Sequence, residues 1–438
     1  MTPMKVALLG IGTVGGGTWT VLARNQEEIS RRAGRGIRIS VVADKDTARA
    51  RALTGGKARV TADAFEAVAD PDVDIVIELI GGYTVAKELV LKAIGNGKHV
   101  VTANKALLAT HGNEIFAAAQ EKGVIVAFEA AVAGGIPIIK ALREGLTANR
   151  IEWIAGIING TSNFILSEMR DKGLAFDDVL KEAQQRGYAE ADPTFDIEGI
   201  DAAHKLTIMS AIAFGVPMQF DKAYTEGISK LTRDDIRYAE QLGYRIKLLG
   251  ITRRTQRGIE LRVHPTLIPA RRLIANVEGV MNAVLVKGDA VGATMYYGAG
   301  AGAEPTASAV IADLVDVTRL HTSDPDHRVP HLAFQPDQMS DLEILPMDEV
   351  STSYYLRMAV LDQPGVLADI TRILADLSIS IGAMVQREPA QGEERVDIIM
   401  LTHETLEKRI NAAIAKIEAL PVVTGKVTRI RLEELGKN

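Results

Sequence analysis

The 438-residue chain contains no cysteine. Disulfides, thiolate nucleophiles, iron–sulfur clusters and cysteine-ligated zinc are thereby excluded. Aromatic residues are few, at 5%, which disfavours surfaces that stack bases. The 50 basic and 56 acidic residues leave a net charge of −6, so no global attraction to nucleic acid or anionic membrane is expected. Long apolar runs are missing as well. The longest uncharged stretch near the start, residues 6–23, is rich in glycine and threonine. It suits neither a lipid-facing helix nor a signal-peptide core. A cytoplasmic location without nucleic-acid or membrane partners is the expectation.

What is present is ordinary apolar content, at 47%, and an excess of glycine, at 39 residues. The length predicts about three domains. Residues 5–9 (K-V-A-L-L) read as a strand, followed by Gly10-Ile11-Gly12-Thr13-Val14-Gly15 and then a long helical pattern. Strand, G-x-G-x-x-G and helix in that order are the dinucleotide fingerprint. Gly10 permits the tight turn, Gly12 lets the backbone approach a pyrophosphate, and Gly15 lets helix and strand pack closely. The helix start offers free N–H groups to phosphate. A second strand, 38–43, ends at Asp44, placed to accept hydrogen bonds from the adenosine ribose of NAD. Its neighbour Lys45 suits the 2′-phosphate of NADP, so both cofactors stay open. Asp44 lies 29 residues after Gly15, beyond the usual spacing of about 20; a long first helix and the loop 31–36 account for the excess. Further strands at 74–80, 99–102 and 124–128 alternate with helical stretches at 85–94 and 113–121. This alternation predicts an α/β, doubly wound parallel sheet. Its strand ends line a ligand crevice, which puts Gly81, Thr102 and Lys105 at the cofactor.

Two lysines stand out. By position, Lys105 is either a solvated loop lysine or a residue at the junction of cofactor and substrate. The segment 187–205 carries Glu190, Asp192, Asp196, Glu198 and Asp201 before Lys205. Asp201 and Lys205, spaced i,i+4, share one helix face. They form either a surface ion pair or a partly buried proton shuttle. The apolar run that follows argues for burial.

At residues 183–205 the chain resembles the homoserine dehydrogenase family. Ala183, Gly187, Tyr188, Ala189, Asp192, Pro193, Asp196, Ile197, Gly199, Asp201 and Lys205 match its motif in register. The resemblance extends to residues 10–15, 102–107, 129–137, 159–166 and 297–307. It implies oxidation of L-homoserine to L-aspartate 4-semialdehyde, or the reverse, with NAD or NADP. Lys205 is then the general acid/base and Lys105 the lysine at the substrate–nicotinamide junction. Glu190 and Asp201, with Gly187 beside them, hold the substrate. The resemblance also implies a monovalent cation, often Na+, at Glu129, Val132, Gly134 and Ile136, where the residues alone also read as a plain turn. The glycine loop 297–307 comes near the cofactor through Gly302, and the helix 305–320 packs back on the first domain. A homodimer or homotetramer is expected. His321, His327 and His331 read as linker histidines.

After Pro346 the pattern changes to strand, helix, strand, strand, helix, strand, a ferredoxin-like unit. With D-Q-P-G-V-L at 362–367 it resembles an ACT domain, which implies a small-amino-acid sensor with threonine as effector. A purely structural role is the alternative. The expected domains are thus a Rossmann-type NAD(P)-binding domain at 1–130, an α+β substrate and dimerisation domain at 131–340, and the ACT domain at 352–433.

Overall fold

The apolar run after the N-terminus forms β1 (Met4–Leu9), with Val6, Ala7, Leu8 and Leu9 fully buried. The structure, a computed structural model, describes residues 2–386 and 395–436. From β1 the chain continues through α1 (Thr13–Arg24), α2 (Gln26–Ala33), β2 (Ile37–Ala43), α3 (Thr47–Thr54), β3 (Arg59–Thr61) and α4 (Ala64–Ala69). Then follow β4 (Ile75–Glu78), α5 (Thr84–Gly95), β5 (His99–Thr102), α6 (Lys105–Lys122) and β6 (Val126–Ala127). All six strands are parallel, in the order β3-β2-β1-β4-β5-β6. The winding reverses between β1 and β4, so the ligand crevice lies at their carboxyl ends.

Several elements differ from the sequence pattern. The long first helix breaks at Asn25 (φ −105°, ψ 21°), whose N–H still bonds the Val21 carbonyl at 3.0 Å. Helix α3 lacks an apolar stripe to announce it and is started by Asp46, which accepts the Arg49 N–H at 2.9 Å. Helix α6 begins eight residues before the stretch 113–121 expected from the sequence; Asn104 caps it by accepting the Leu107 N–H at 3.1 Å. Lys105 is therefore a first-turn helix residue rather than a loop residue.

The chain forms two compact units, each assembled from three stretches. The first comprises Met1–Gly160, Asp201–Ala223 and Val280–Leu342; the second comprises Thr161–Ile200, Tyr224–Gly279 and Glu343–Asn438. In the first unit the helix Ala303–Leu320 lies along α1. A Cβ on Gly17 would stand 2.4 Å from the Ala303 carbonyl oxygen, and Arg24 pairs with Glu304 at 2.9 Å. Three antiparallel strands, Ile151–Ile157, Met281–Gly288 and Gly292–Ala299, belong to this unit. So does the helix Ile200–Phe214 from its second residue on, with every residue from Asp201 to Phe214 buried.

In the second unit, strands Ser351–Leu361, Ile381–Gln386, Arg395–Thr402 and Val423–Leu432 alternate with helices Val366–Asp376 and Glu407–Glu418 in the βαββαβ order. Tyr354, Ile370, Leu374, Ile398, Ile410 and Ile417 fill their core. The end of its last strand pairs in parallel with Ile259–Pro269 through Thr266↔Arg431 and Leu267↔Leu432. Ion pairs reinforce the joint: Arg431 with Glu226, Arg262 with Glu433, and Arg357 with Asp235.

The histidines expected in a linker are partly structural. His331 accepts the Val126 N–H at 3.1 Å and stacks on Phe116 at 5.2 Å. His321 lies 3.0 Å from an Arg35 nitrogen, and His327 is solvent-facing. Burial, with nearby cationic groups adding to it, pushes His99, His204 and His331 down to about 4. Above pH 6.5 these rings are neutral in both the folded and the unfolded chain. As pH falls below 6.5 the unfolded chain takes up their protons first, so stability drops until pH passes about 4. Each ring is expected to remove up to about 1.4 kcal/mol per pH unit in that window. Urea midpoints at pH 7.5 and pH 5 check this; equal midpoints would contradict it.

Candidate active site

The glycine fingerprint sits at the carboxyl end of β1. Gly10 has φ +90°, and a Cβ there would meet the Leu79 carbonyl oxygen at 2.7 Å. A Cβ on Gly15 would stand 2.0 Å from the Gly10 carbonyl oxygen. These two glycines are demanded by the turn and by helix–strand packing. Gly12 is different: nothing lies within 4 Å of its Cβ position, and it is the N-cap of α1. Its bare backbone lines a cavity of about 710 Å³ at the start of α1, where first-turn N–H groups have no partner within the helix. Gly10, Gly12, Asp44, Lys45, Gly81 and Tyr83 are among the lining residues. The size and the anion-binding helix start fit a dinucleotide. Asp44 is committed to the loop as well, accepting the Ile11 N–H at 2.7 Å and the Asp46 N–H at 2.8 Å. Gly302, with φ +127°, is the N-cap of the helix Ala303–Leu320 in the same unit. Thr102 is buried and donates its hydroxyl to Glu78, so it supports the crevice from behind.

Three charged side chains meet in this unit. The i,i+4 spacing places Lys205 Nζ 2.7 Å from Asp201 Oδ2, and α6 brings Lys105 Nζ within 3.1 Å of Asp201 Oδ1. Lys205 also donates to the Ile158 carbonyl at 2.8 Å, and Asn159 Nδ2 donates to Asp201 Oδ2 at 2.9 Å. Burial alone would raise the Asp201 carboxyl; the two ammonium groups and the Asn159 amide outweigh it and hold the group far below the usual carboxylate range. Lys205 is buried while Lys105 is half-exposed. The carboxylate thus fixes two amines, one enclosed and one reaching toward solvent.

Gly187 and Glu190 belong to the second unit, in an exposed stretch after the helix Phe176–Gln185. The Glu190 carbonyl accepts from Gln184 Nε2 at 3.1 Å. At the turn after β6, Glu129 is buried and spends its carboxylate on the Ile139 and Lys140 N–H groups at 2.9 and 2.8 Å. The Ile136 carbonyl accepts from Ile138 at 2.8 Å. Ala133 and Gly134 both have positive φ, and a Cβ on Gly134 would meet the Gly300 carbonyl oxygen at 2.5 Å. The turn is irregular and rich in backbone oxygen. Among the described residues no group of three or more His, Asp or Glu side chains gathers as a metal cluster.

The homoserine dehydrogenase family model matches residues 137–315, its NAD binding domain matches 10–129, and the ACT domain matches 354–422. A homoserine dehydrogenase of Pseudomonas aeruginosa is 66% identical over the whole of both chains. The chain belongs to the homoserine dehydrogenase family. One from Neisseria gonorrhoeae is 64% identical, covering 99% of this chain and all of that one. The crystal structure of a homoserine dehydrogenase from Thiobacillus denitrificans superposes with a TM-score of 0.95 at 75% identity, over 100% of this chain and 99% of the other. A hyperthermophilic archaeal homoserine dehydrogenase in complex with NADPH is 26% identical, with a TM-score of 0.63 over 72% of this chain and 98% of that one.

As a homoserine dehydrogenase the chain carries site residues that sequence patterns did not single out. Asn159 lies inside the motif N-G-T-S-N, with nothing in its spacing to mark it as a partner of Asp201. Glu78 carries a signal that could have been read: a carboxylate at the end of an otherwise apolar strand. Asp201→Asn leaves the buried Lys205 ammonium without its counter-charge. Stability is expected to fall by about 3 kcal/mol, as for other buried pairs that lose one member. Urea unfolding of both proteins measures it, and matching midpoints would show that the pair holds nothing.

Proposed function

We propose that the chain catalyses the reversible, NAD(P)-dependent interconversion of L-homoserine and L-aspartate 4-semialdehyde. The observation that carries this reading is the Asp201 carboxylate clasped by Lys105 and Lys205, in the same unit as the dinucleotide crevice. A bound nicotinamide supplies the hydride donor or acceptor. The chain's share is proton transfer and positioning. Lys205 gives a proton to the aldehyde oxygen in reduction and takes it from the hydroxyl in oxidation. Lys105 holds the substrate against the nicotinamide end of the crevice. Asp201 orients both amines, and three hydrogen bonds use most of its roughly four acceptor directions. The remaining direction takes the substrate ammonium.

The cofactor is NAD or NADP, with Asp44 favouring a free ribose and Lys45 a 2′-phosphate. A monovalent cation of the Na+ class would draw on the carbonyl oxygens of Val132, Gly134 and Ile136 beside Glu129. The ACT domain regulates the enzyme with threonine as effector, held at the D-Q-P-G turn, where Gly365 has φ +96° at the start of the helix Val366–Asp376. The working form is a cytoplasmic homodimer or homotetramer; no helix among the described residues is long and apolar enough to cross a membrane.

Absorbance of NADH and NADPH with aspartate semialdehyde as substrate tests the activity and ranks the two cofactors. Lys205→Ala is expected to lower kcat by about 10²–10⁴-fold while cofactor affinity stays near the wild-type value. Near-normal turnover would remove Lys205 from its role. Millimolar threonine is expected to depress the wild-type rate, and a flat response would remove threonine as effector.

A further inference from the structure

Strand β4 ends in a carboxylate that no part of the mechanism uses. Glu78 is fully buried between β1 and β5. Burying a carboxylate is costly unless every oxygen finds a donor. Glu78 Oε1 accepts the N–H groups of Ile80 and Gly81, both at 2.9 Å. Its Oε2 accepts the Thr102 hydroxyl at 2.7 Å. None of these partners is a cation, so the group does not simply neutralise a charge.

The partners lead to two functional places. Ile80 and Gly81 belong to the loop that lines the dinucleotide cavity, and Gly81 and Gly82 follow each other there at φ +78° and +77°. Thr102 in turn accepts the Asn104 N–H at 3.0 Å. Asn104 Nδ2 returns to the loop, donating to the Gly82 carbonyl at 2.8 Å, while its Oδ1 caps α6. The first residue of α6 is Lys105, paired with Asp201. One carboxylate therefore ties the cofactor loop and the helix start that presents Lys105.

We infer that Glu78 is a positioning residue: it fixes the spacing between the cofactor loop Ile80–Gly82 and Lys105, so that bound cofactor and the amine cluster share one rigid frame. The inference rests on the dehydrogenase reading and on the role given to Lys105. Charge-assisted bonds are about twice as strong as neutral ones. Hydride transfer is steep in distance, so a loosened frame lowers turnover without removing any reacting group.

The test is a double-mutant cycle on the full-length enzyme. Glu78→Gln keeps the side chain's shape and its acceptor for the loop. Its amide donates toward Thr102, which turns that hydroxyl around. With the wild-type Lys105, kcat is expected to fall about tenfold and the Kd for NAD(P)H, read by fluorescence, to rise several-fold. In a Lys105→Ala background the kcat effect of Glu78→Gln should shrink to under twofold, while the change in cofactor Kd persists. Thr102→Val removes the donor to Glu78 Oε2 and the acceptor of the Asn104 N–H while leaving both loop N–H bonds to Oε1 in place; it should lower kcat with a smaller change in cofactor Kd than Glu78→Gln gives, and it decides the question if Glu78→Gln does not fold. A kcat within twofold of wild type, or equal kcat losses in both Lys105 backgrounds, overturns the inference and makes Glu78 a purely structural carboxylate. A wild-type enzyme inactive on homoserine and aspartate semialdehyde would instead overturn the functional reading.

Discussion

Everything in the amine cluster depends on the ionised carboxylate of Asp201. It stands in a helix whose residues from 201 to 214 are all buried, where a lone charge would be costly. Two ammonium groups and an amide compensate it. The compensation also removes freedom from both lysines: Lys205 is held between a carboxylate and the Ile158 carbonyl, and Lys105 is anchored at its far end while its stem stays half-exposed. A lysine held this way has a defined place for its proton, which a solvated lysine does not.

The same economy runs through the dinucleotide crevice. Its glycines serve different ends. Gly10 and Gly15 leave no room for a Cβ, whereas Gly12 leaves open space on the ligand side. Carboxylates at strand ends then fasten the loops, Asp44 at Ile11 and Asp46, Glu78 at Ile80 and Gly81. In the second unit, ion pairs do comparable work where the ACT domain's last strand joins the strand Ile259–Pro269, so that module is built into its unit rather than tethered to it.

Much of this was legible in one dimension. The fingerprint 10–15, the alternation of strands and helices, the βαββαβ order and the i,i+4 relation of Asp201 and Lys205 all rest on short-range periodicity, which sequence records directly. The helix start at Lys105 was missed, because the stretch T-A-N-K after a strand also reads as a loop until the Asn104 side chain is seen capping the helix. The place of His331 was hidden for a related reason: its ring partners, Val126 and Phe116, lie about 200 residues earlier.

The sequence by itself determined the fold class, the family and the chemistry available: no thiols, two lysines in motif positions, a nicotinamide site announced by glycines. Only the tertiary structure decided which charges meet. Lys105 and Asp201 are 96 residues apart in the chain, and no periodicity spans that distance. Their contact exists because a parallel sheet puts its strand ends on one edge and a buried helix brings a carboxylate within reach of it. Pairing across a fold is set by packing and by the need to neutralise buried charge, and neither is written in any local stretch of residues.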